Sequence, residues 1–108
     1  LGMTQAQADL TGFRGTDQGS QLAGNEIMWT GGLLDQNANF GSSGFVGLPA
    51  GGRLAGGAFL DLSELAYFWT SSQSNNNAWN RSLYYDNPQA RRIGSDESNG
   101  FCVRCVRD

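Results

Sequence analysis

Glycine is the residue that most restricts the folds open to this chain. The sequence contains 16 glycines in 108 residues, and more than half of them lie between Gly31 and Gly57. Glycine destabilises helix and strand interiors because it loses the most conformational freedom on folding, whereas it favours tight turns. We therefore expect this stretch to form long loops that join short strands, with no long helix. The whole length is that of one domain with a modest single core.

The first residues predict a short helix. Thr4 and Gln7 have the spacing of a capping box, in which each side chain bonds the backbone amide of the other residue. This helix should end near Gly12, and a second short element should begin near Gln21.

Three strands are predicted in the last part of the chain, at residues 67–71, 78–85 and 100–106, separated by turns that contain Asn, Ser, Asp and Pro. Alternate residues of a strand point to opposite faces of a sheet. On this basis one face of the second strand is expected to belong to the core, and it carries Trp79, Arg81, Leu83 and Tyr85. A buried Arg81 would need a carboxylate or carbonyl partner. The other face is expected to point to solvent and carries Asn80, Ser82, Tyr84 and Asp86.

The charge and the absence of histidine exclude several functions. The net charge is -3 and no run of basic residues occurs, so we expect neither a nucleic-acid partner nor an anionic membrane. The chain has no histidine, which removes the commonest general base and metal ligand. No stretch has the length of a membrane helix. We therefore expect no enzyme, no cofactor, no metal and no membrane insertion.

Five motifs follow one another along the chain. They are GFRGTDQG at 12–19, GFVGLPAGGR at 44–53, YFWTSS at 67–72, AWNR at 78–81 and NGFCVRCVRD at 99–108. In this order and at these spacings they resemble the Fibrobacter succinogenes major paralogous domain family, over essentially the whole chain. The resemblance implies an α+β domain of the C-type lectin-like fold, related to the formylglycine-generating enzyme fold. Such a domain has a short N-terminal helix, long glycine-rich loops and a small antiparallel sheet formed mainly by the C-terminal half.

The resemblance also implies an exported or surface-attached bacterial protein. Family members usually begin with a stretch similar to CPSGWHLPT and a helix, so residues 1–108 are expected to form one domain that lacks this first strand and helix. The activity of formylglycine-generating enzymes is not expected, because the cysteine spacing differs from theirs.

Cys102 and Cys105 form a C-x-x-C motif with several possible roles. In a strand their alpha carbons would be roughly 10 Å apart, too far for a disulfide between them. Structural or unpaired cysteines, an intermolecular disulfide, and a redox or metal site remain as alternatives. The family resemblance implies that Cys105 pairs with a cysteine of the preceding segment. The residues expected to be structural are Trp69, Trp79, Arg81, Phe101 and Cys105.

The polar strand face and its neighbouring turns, about residues 74–95, are the predicted ligand-binding surface. Tyrosine gives rigid amphipathic contact area, and Ser, Asn and Arg give hydrogen bonds, which is typical of adaptable recognition surfaces. The lectin-like resemblance also implies ligand contacts in this part of the fold. The predicted contact residues are Asn75, Asn76, Asn77, Asn80, Ser82, Tyr84, Asp86, Asn87, Gln89 and Arg91.

Two other interpretations of this surface stay open. It could be an ordinary polar strand face, or a calcium-dependent sugar site built with Asp86, Asp96 and Glu97. Calcium binding is disfavoured because Arg81 occupies the position where the motif of a calcium-dependent sugar site would place an acidic residue. The expected function is a non-enzymatic extracellular ligand-binding or adhesion module with a protein or glycan partner. The alternative is a self-associating structural subunit of a surface assembly, completed by neighbouring chains.

Overall fold

The computed structural model describes residues 1–105, and for Ser74 the backbone alone. The protein is a small mixed α and β domain with few short helices and antiparallel sheets. The helices are α1 (Gln5–Ala8), α2 (Gln18–Leu22) and a 3-10 helix (Glu26–Met28). The strands are β1 (Gly12–Arg14), β2 (Gly52–Arg53), β3 (Phe59–Leu60), β4 (Leu65–Ser74), β5 (Asn77–Tyr84) and β6 (Asn87–Ser95). No helix in the described residues is long and apolar enough to cross a membrane.

The main sheet has four antiparallel strands in the order β1-β6-β5-β4, and β2 and β3 form a separate hairpin. Most of the sheet is therefore built by the C-terminal half, as predicted. The segment around Cys102 lies along the outer edge of β4. There the amide of Cys102 donates to the carbonyl of Tyr67 at 3.1 Å, and the amide of Trp69 donates to the carbonyl of Cys102 at 3.0 Å.

The capping box at the first helix is confirmed. The amide of Gln7 donates to Oγ1 of Thr4 at 3.1 Å, and the amide of Thr4 donates to Oε1 of Gln7 at 3.0 Å. The helix is shorter than predicted and ends at Ala8. Gly12 starts β1 with a φ of 88°, in the left-handed region that favours glycine.

Two of the three strands predicted in the C-terminal part are confirmed, since β4 contains residues 67–71 and β5 nearly coincides with 78–85, whereas the third was predicted in the wrong place. Residues 87–95, expected to hold turns, form β6. In the predicted strand at 100–106, Cys102 makes a single bridge to Phe68, residues 103–105 are irregular, and residue 106 lies outside the described residues. In β6 the guanidinium groups of Arg91 and Arg92 lie over the rings of Tyr84 and Trp79, so the strand packs with few of the branched apolar residues from which strands are usually predicted.

One face of the sheet carries the core. The buried cluster consists of Ala23, Trp29, Leu34, Ala66, Leu83 and Ala90. Helix α2 packs against β6 on this face, so closely that a Cβ added at Gly19 would overlap the backbone carbonyls of Pro88 and Gln89. The long loops between α2 and β4 complete the cover, with Trp29 donating from Nε1 to the carbonyl of Gly24 at 3.1 Å.

Candidate ligand-binding surface

The predicted solvent face of β5 is buried at its centre. Asn80 and Ser82 have no exposed surface (0% each), so the prediction that this face points to solvent is wrong for these two residues. Register explains the burial. Asn80 lies between Trp69 and Ile93, and Ser82 lies between Tyr67 and Arg91, so two short side chains of a central strand are flanked by larger ones on both sides.

These two short side chains form a hydrogen-bonded network. Oγ of Ser82 donates to Oδ1 of Asn80 at 3.1 Å, and Nδ2 of Asn80 donates to Oγ of Ser95 at 2.8 Å. Buried polar groups need such partners because an unpaired one loses its hydration without compensation. The network thus joins β5 to β6 beneath the surface of this face.

On the same face of the sheet, Phe13, Tyr84 and Arg91 form an accessible cluster that we call the aromatic-arginine cluster. The rings of Phe13 and Tyr84 meet edge to face with centroids 5.0 Å apart. The guanidinium carbon of Arg91 lies 5.8 Å from the Phe13 centroid and 5.5 Å from that of Tyr84, and Nη1 of Arg91 donates to the Tyr84 hydroxyl. Phe13 is 38% exposed, and Tyr84 and Arg91 are half-buried.

Strand pairing brings this cluster together from distant parts of the chain. Phe13 lies directly opposite Arg91 in the β1–β6 pair. Tyr84 and Arg91 were predicted as ligand contacts, whereas Phe13 was not. No signal in the sequence could have placed Phe13 there, because β1 has only three residues and its partner strand was itself expected to be a turn.

A second group of aromatic side chains continues the same face toward β4. The ring of Phe101 stacks on Tyr67 with centroids 4.5 Å apart and lies 4.5 Å from Trp69. The Tyr67 hydroxyl donates to Oδ2 of Asp61 at 2.8 Å. Burial, and then this bond to a carboxylate, raise the pKa of Tyr67 above its ordinary value. Trp69 and Phe101, two of the residues predicted to be structural, therefore pack against each other.

Five other predicted contact residues lie at two separate places. Asn75 and Asn76 are exposed in the turn between β4 and β5, and the exposed Asn77 begins β5, whereas Asp86 and Asn87 lie at the other end of β5. A strand of this length, at about 3.3 Å per residue, separates the two groups by more than 20 Å. The predicted surface at 74–95 is therefore not one site.

Three further predicted residues, Gln89, Trp79 and Arg81, lie at structural positions. Nε2 of Gln89 donates to the carbonyl of Gly15 at 2.8 Å, which fixes the loop after β1 to β6. On the core side of the sheet, Trp79 and Arg81 are half-buried. The expected carbonyl partner of Arg81 is that of Asn80, at a long 3.5 Å.

The family model of the Fibrobacter succinogenes major domain matches residues 1–107. The chain belongs to this family. No curated protein and no solved structure matches it.

In this Fibrobacter succinogenes major domain, acidic and thiol groups are dispersed. Asp86 precedes β6 and Asp96 follows it, so the strand separates two of the three acids considered for calcium. Residues 1–105 contain no group of three or more Cys, Asp and Glu side chains that could hold a metal ion. Both cysteines are free thiols, Cys102 half-buried and Cys105 exposed.

Proposed function

We propose that this domain is a non-enzymatic ligand-binding module of a bacterial surface protein, with a C-type lectin-like fold and an extracellular or cell-surface location. The ligand, a protein or a glycan, contacts the aromatic-arginine cluster of Phe13, Tyr84 and Arg91. One observation carries the proposal. Two aromatic rings and a guanidinium group meet on an accessible sheet face, where Arg91 lies opposite the buried Ser82 of the hydrogen-bonded network.

The chemistry of the cluster suits recognition. Aromatic rings offer large contact area at a small cost in side-chain entropy, and arginine offers several N–H donors in a fixed plane. Tyr and Arg are also enriched among the residues that dominate binding energy at interfaces. Here the Arg91 guanidinium is already held against both rings, so little side-chain freedom remains to be lost on binding.

The experiment is a glycan and protein array probed with the native domain and with Arg91→Ala. We expect the substitution to remove binding to any ligand that the native domain captures, because it deletes the charged donors of the cluster. Arg53→Ala is the matched control, since Arg53 lies on the β2–β3 hairpin and also contacts an aromatic ring, Phe59, at 5.4 Å. Equal capture by the native domain and Arg91→Ala, or loss with Arg53→Ala alone, would contradict the proposal.

A second candidate function is that of a structural subunit that associates with neighbouring chains. Several large apolar side chains are strongly exposed, among them Ile27 (96%), Phe59 (81%) and Leu62 (74%). Exposed apolar surface favours association when it is contiguous. Light scattering over a range of concentrations tests this candidate, and a monomer at the highest concentration would exclude it. Reduced self-association of Phe59→Ser and Ile27→Ser would support it.

A further inference from the structure

An open cleft of about 680 Å³ lies on the core side of the sheet, between β4, β5 and the segment that follows Phe101. Its walls are mainly apolar, with Leu22, Phe45, Phe68, Leu83 and Val103. Two arginines also line it, Arg81 and Arg104. Pockets of this size and character are those that bury small organic ligands.

Arg81 brings a poorly compensated positive charge to this cleft. Its only hydrogen bond within the described residues is the 3.5 Å contact with the carbonyl of Asn80. No side-chain nitrogen or oxygen in the described part of the chain is both fully buried and without a partner, so the unbonded N–H groups of Arg81 reach open space. Burial, and then the charges of Arg14 and Arg92, lower the pKa of Arg81, and the charge of Asp9 offsets this only in part. An anion in the cleft would relieve this repulsion.

Arg104 places a second positive charge on the cleft wall. Its guanidinium carbon lies 4.1 Å from the Phe45 centroid, and Nη1 donates to the carbonyl of Val46 at a long 3.5 Å. A guanidinium stacked on an aromatic face keeps its in-plane N–H groups free for a carboxylate. The cleft thus combines an apolar floor with two charged donors.

We propose that this cleft binds a small apolar molecule that carries one carboxylate, such as a medium-chain fatty acid. The alkyl chain lies against Phe45, Phe68 and Leu83, and the carboxylate accepts hydrogen bonds from Arg81. The cleft uses the core side of the sheet, whereas the aromatic-arginine cluster lies on the opposite side. The proposed ligand of the cleft and the proposed ligand of the aromatic-arginine cluster can therefore be tested independently of each other.

The positive charge of the two arginines in the cleft disfavours amphiphiles with a cationic or a neutral head group. A quaternary ammonium head would be repelled by Arg81 and Arg104, and a neutral alcohol would leave both guanidinium groups uncompensated in a partly desolvated site. An alkyl carboxylate satisfies both the apolar walls and the charge.

The test is calorimetric titration of the full chain with decanoate, decanol and decyltrimethylammonium. We expect saturable one-site binding of decanoate, and affinities lower by about tenfold or more for the other two, because a charge-assisted hydrogen bond is lost. Arg81→Gln should weaken decanoate binding by about tenfold and remove the preference for decanoate over decanol. Arg53→Gln, outside the cleft, should bind as the native chain does.

Two further measurements keep the test independent of folding effects. Val103 is 71% exposed, so Val103→Glu should leave the melting temperature unchanged while its carboxylate competes with decanoate in the cleft. Cys105 lines the cleft, so bound decanoate should slow alkylation of its thiol by iodoacetamide. Trypsin cleaves after Arg104, which separates the peptides of Cys102 and Cys105 for mass spectrometry.

Three results would overturn the proposal. The first is no saturable decanoate binding below about 1 mM, the weak limit for a small ligand in such a cleft. The second is equal affinity for decanoate and decanol. The third is unchanged affinity in both Arg81→Gln and Val103→Glu with no protection of Cys105.

Discussion

The guanidinium carbon of Arg92 lies 3.7 Å from the centroid of the Trp79 ring on the core side of the sheet. Nη1 of the same arginine donates to the carbonyl of Asp9 at 2.7 Å, at the C-terminal end of α1. Arg92 therefore joins the first helix to two strands of the sheet. A strand residue that was expected to lie in a turn is thus one of the contacts that fix the N-terminal part of the domain.

Replacing Arg92 should destabilise the fold. We expect Arg92→Ala to lower the free energy of unfolding by about 1–2 kcal/mol, since a partly desolvated cation–π contact and a hydrogen bond are lost together. Urea denaturation followed by tryptophan fluorescence measures the change. Arg53→Ala, which removes a longer and exposed contact with Phe59, should stay within about 0.5 kcal/mol of the native chain. Equal losses in the two variants would refute this assignment.

The Tyr67–Asp61 pair should make stability fall at alkaline pH. The pKa of Tyr67 is raised in the folded chain, so the folded state holds the phenolic proton more tightly than the unfolded state does. The stabilisation that Tyr67 provides through this raised pKa is complete at pH values below the unfolded pKa of about 10. It is lost as the pH rises from there toward the folded pKa. We expect the melting temperature to decline above about pH 10.

Tyr67→Phe should flatten this alkaline decline because it removes the titrating hydroxyl. At neutral pH the same variant should be less stable by about 1 kcal/mol, the value of a typical hydrogen bond. Melting curves by circular dichroism between pH 7 and pH 11, a range of about four units around the unfolded pKa, compare the two chains. An unchanged alkaline decline in Tyr67→Phe would assign it to another group.

Gly19 and Gly31 should respond differently to a methyl group. At Gly19 a Cβ would overlap the backbone of β6, so Gly19→Ala should cost about 1–3 kcal/mol through a forced shift of α2. At Gly31 a Cβ meets nothing within 4 Å. Gly31→Ala should therefore be neutral or stabilise by up to about 1 kcal/mol. Thermal unfolding of both variants checks the pair, and a neutral Gly19→Ala would mean that α2 packs less closely.

Asn80 should behave as a structural residue and Asn76 as a surface residue. Asn80→Ala leaves the hydroxyls of Ser82 and Ser95 without their partner, which should cost about 1–3 kcal/mol. Asn76→Ala, in the exposed turn, should change stability by less than about 0.5 kcal/mol. Chemical denaturation of both variants gives the comparison. A neutral Asn80→Ala would argue against the buried network.

The local signals of the sequence were sufficient for some elements and not for others. The capping box at Thr4 and Gln7 depends on residues three positions apart, so it could be predicted. The glycine-rich stretch from Gly31 to Gly57 likewise holds mainly loops, because the glycines act locally. The position of β6 depended instead on its pairing with β1 and β5 and on the packing of α2, and both β1 and α2 are distant from it in sequence.

In the candidate site, too, some features could be predicted from local sequence signals and others could not. Alternation correctly placed Leu83 on the core side, but it could not show that Asn80 and Ser82 would be buried on the other side, because their burial depends on the neighbouring strands. Tyr84 and Arg91 were predicted from residue type, whereas Phe13 joined them only through a three-residue strand. The segment after Phe101 forms one wall of the cleft beside Arg81. This segment was expected to be a regular strand, so the cleft could not be predicted.

The turn at Asn75 and Asn76 is exposed, and so is Asn77 at the start of β5, whereas the buried network begins at Asn80 of the same strand β5. We therefore expect the tip of the β4–β5 hairpin, at residues 75–77, to tolerate changes in sequence. We expect the part of β5 from Asn80 onward to tolerate few. Exposed tips of this kind accept insertions because they carry no buried contacts. A peptide epitope grafted between residues 75 and 77 should be displayed without altering the domain, which makes the hairpin a natural carrier for variable sequences.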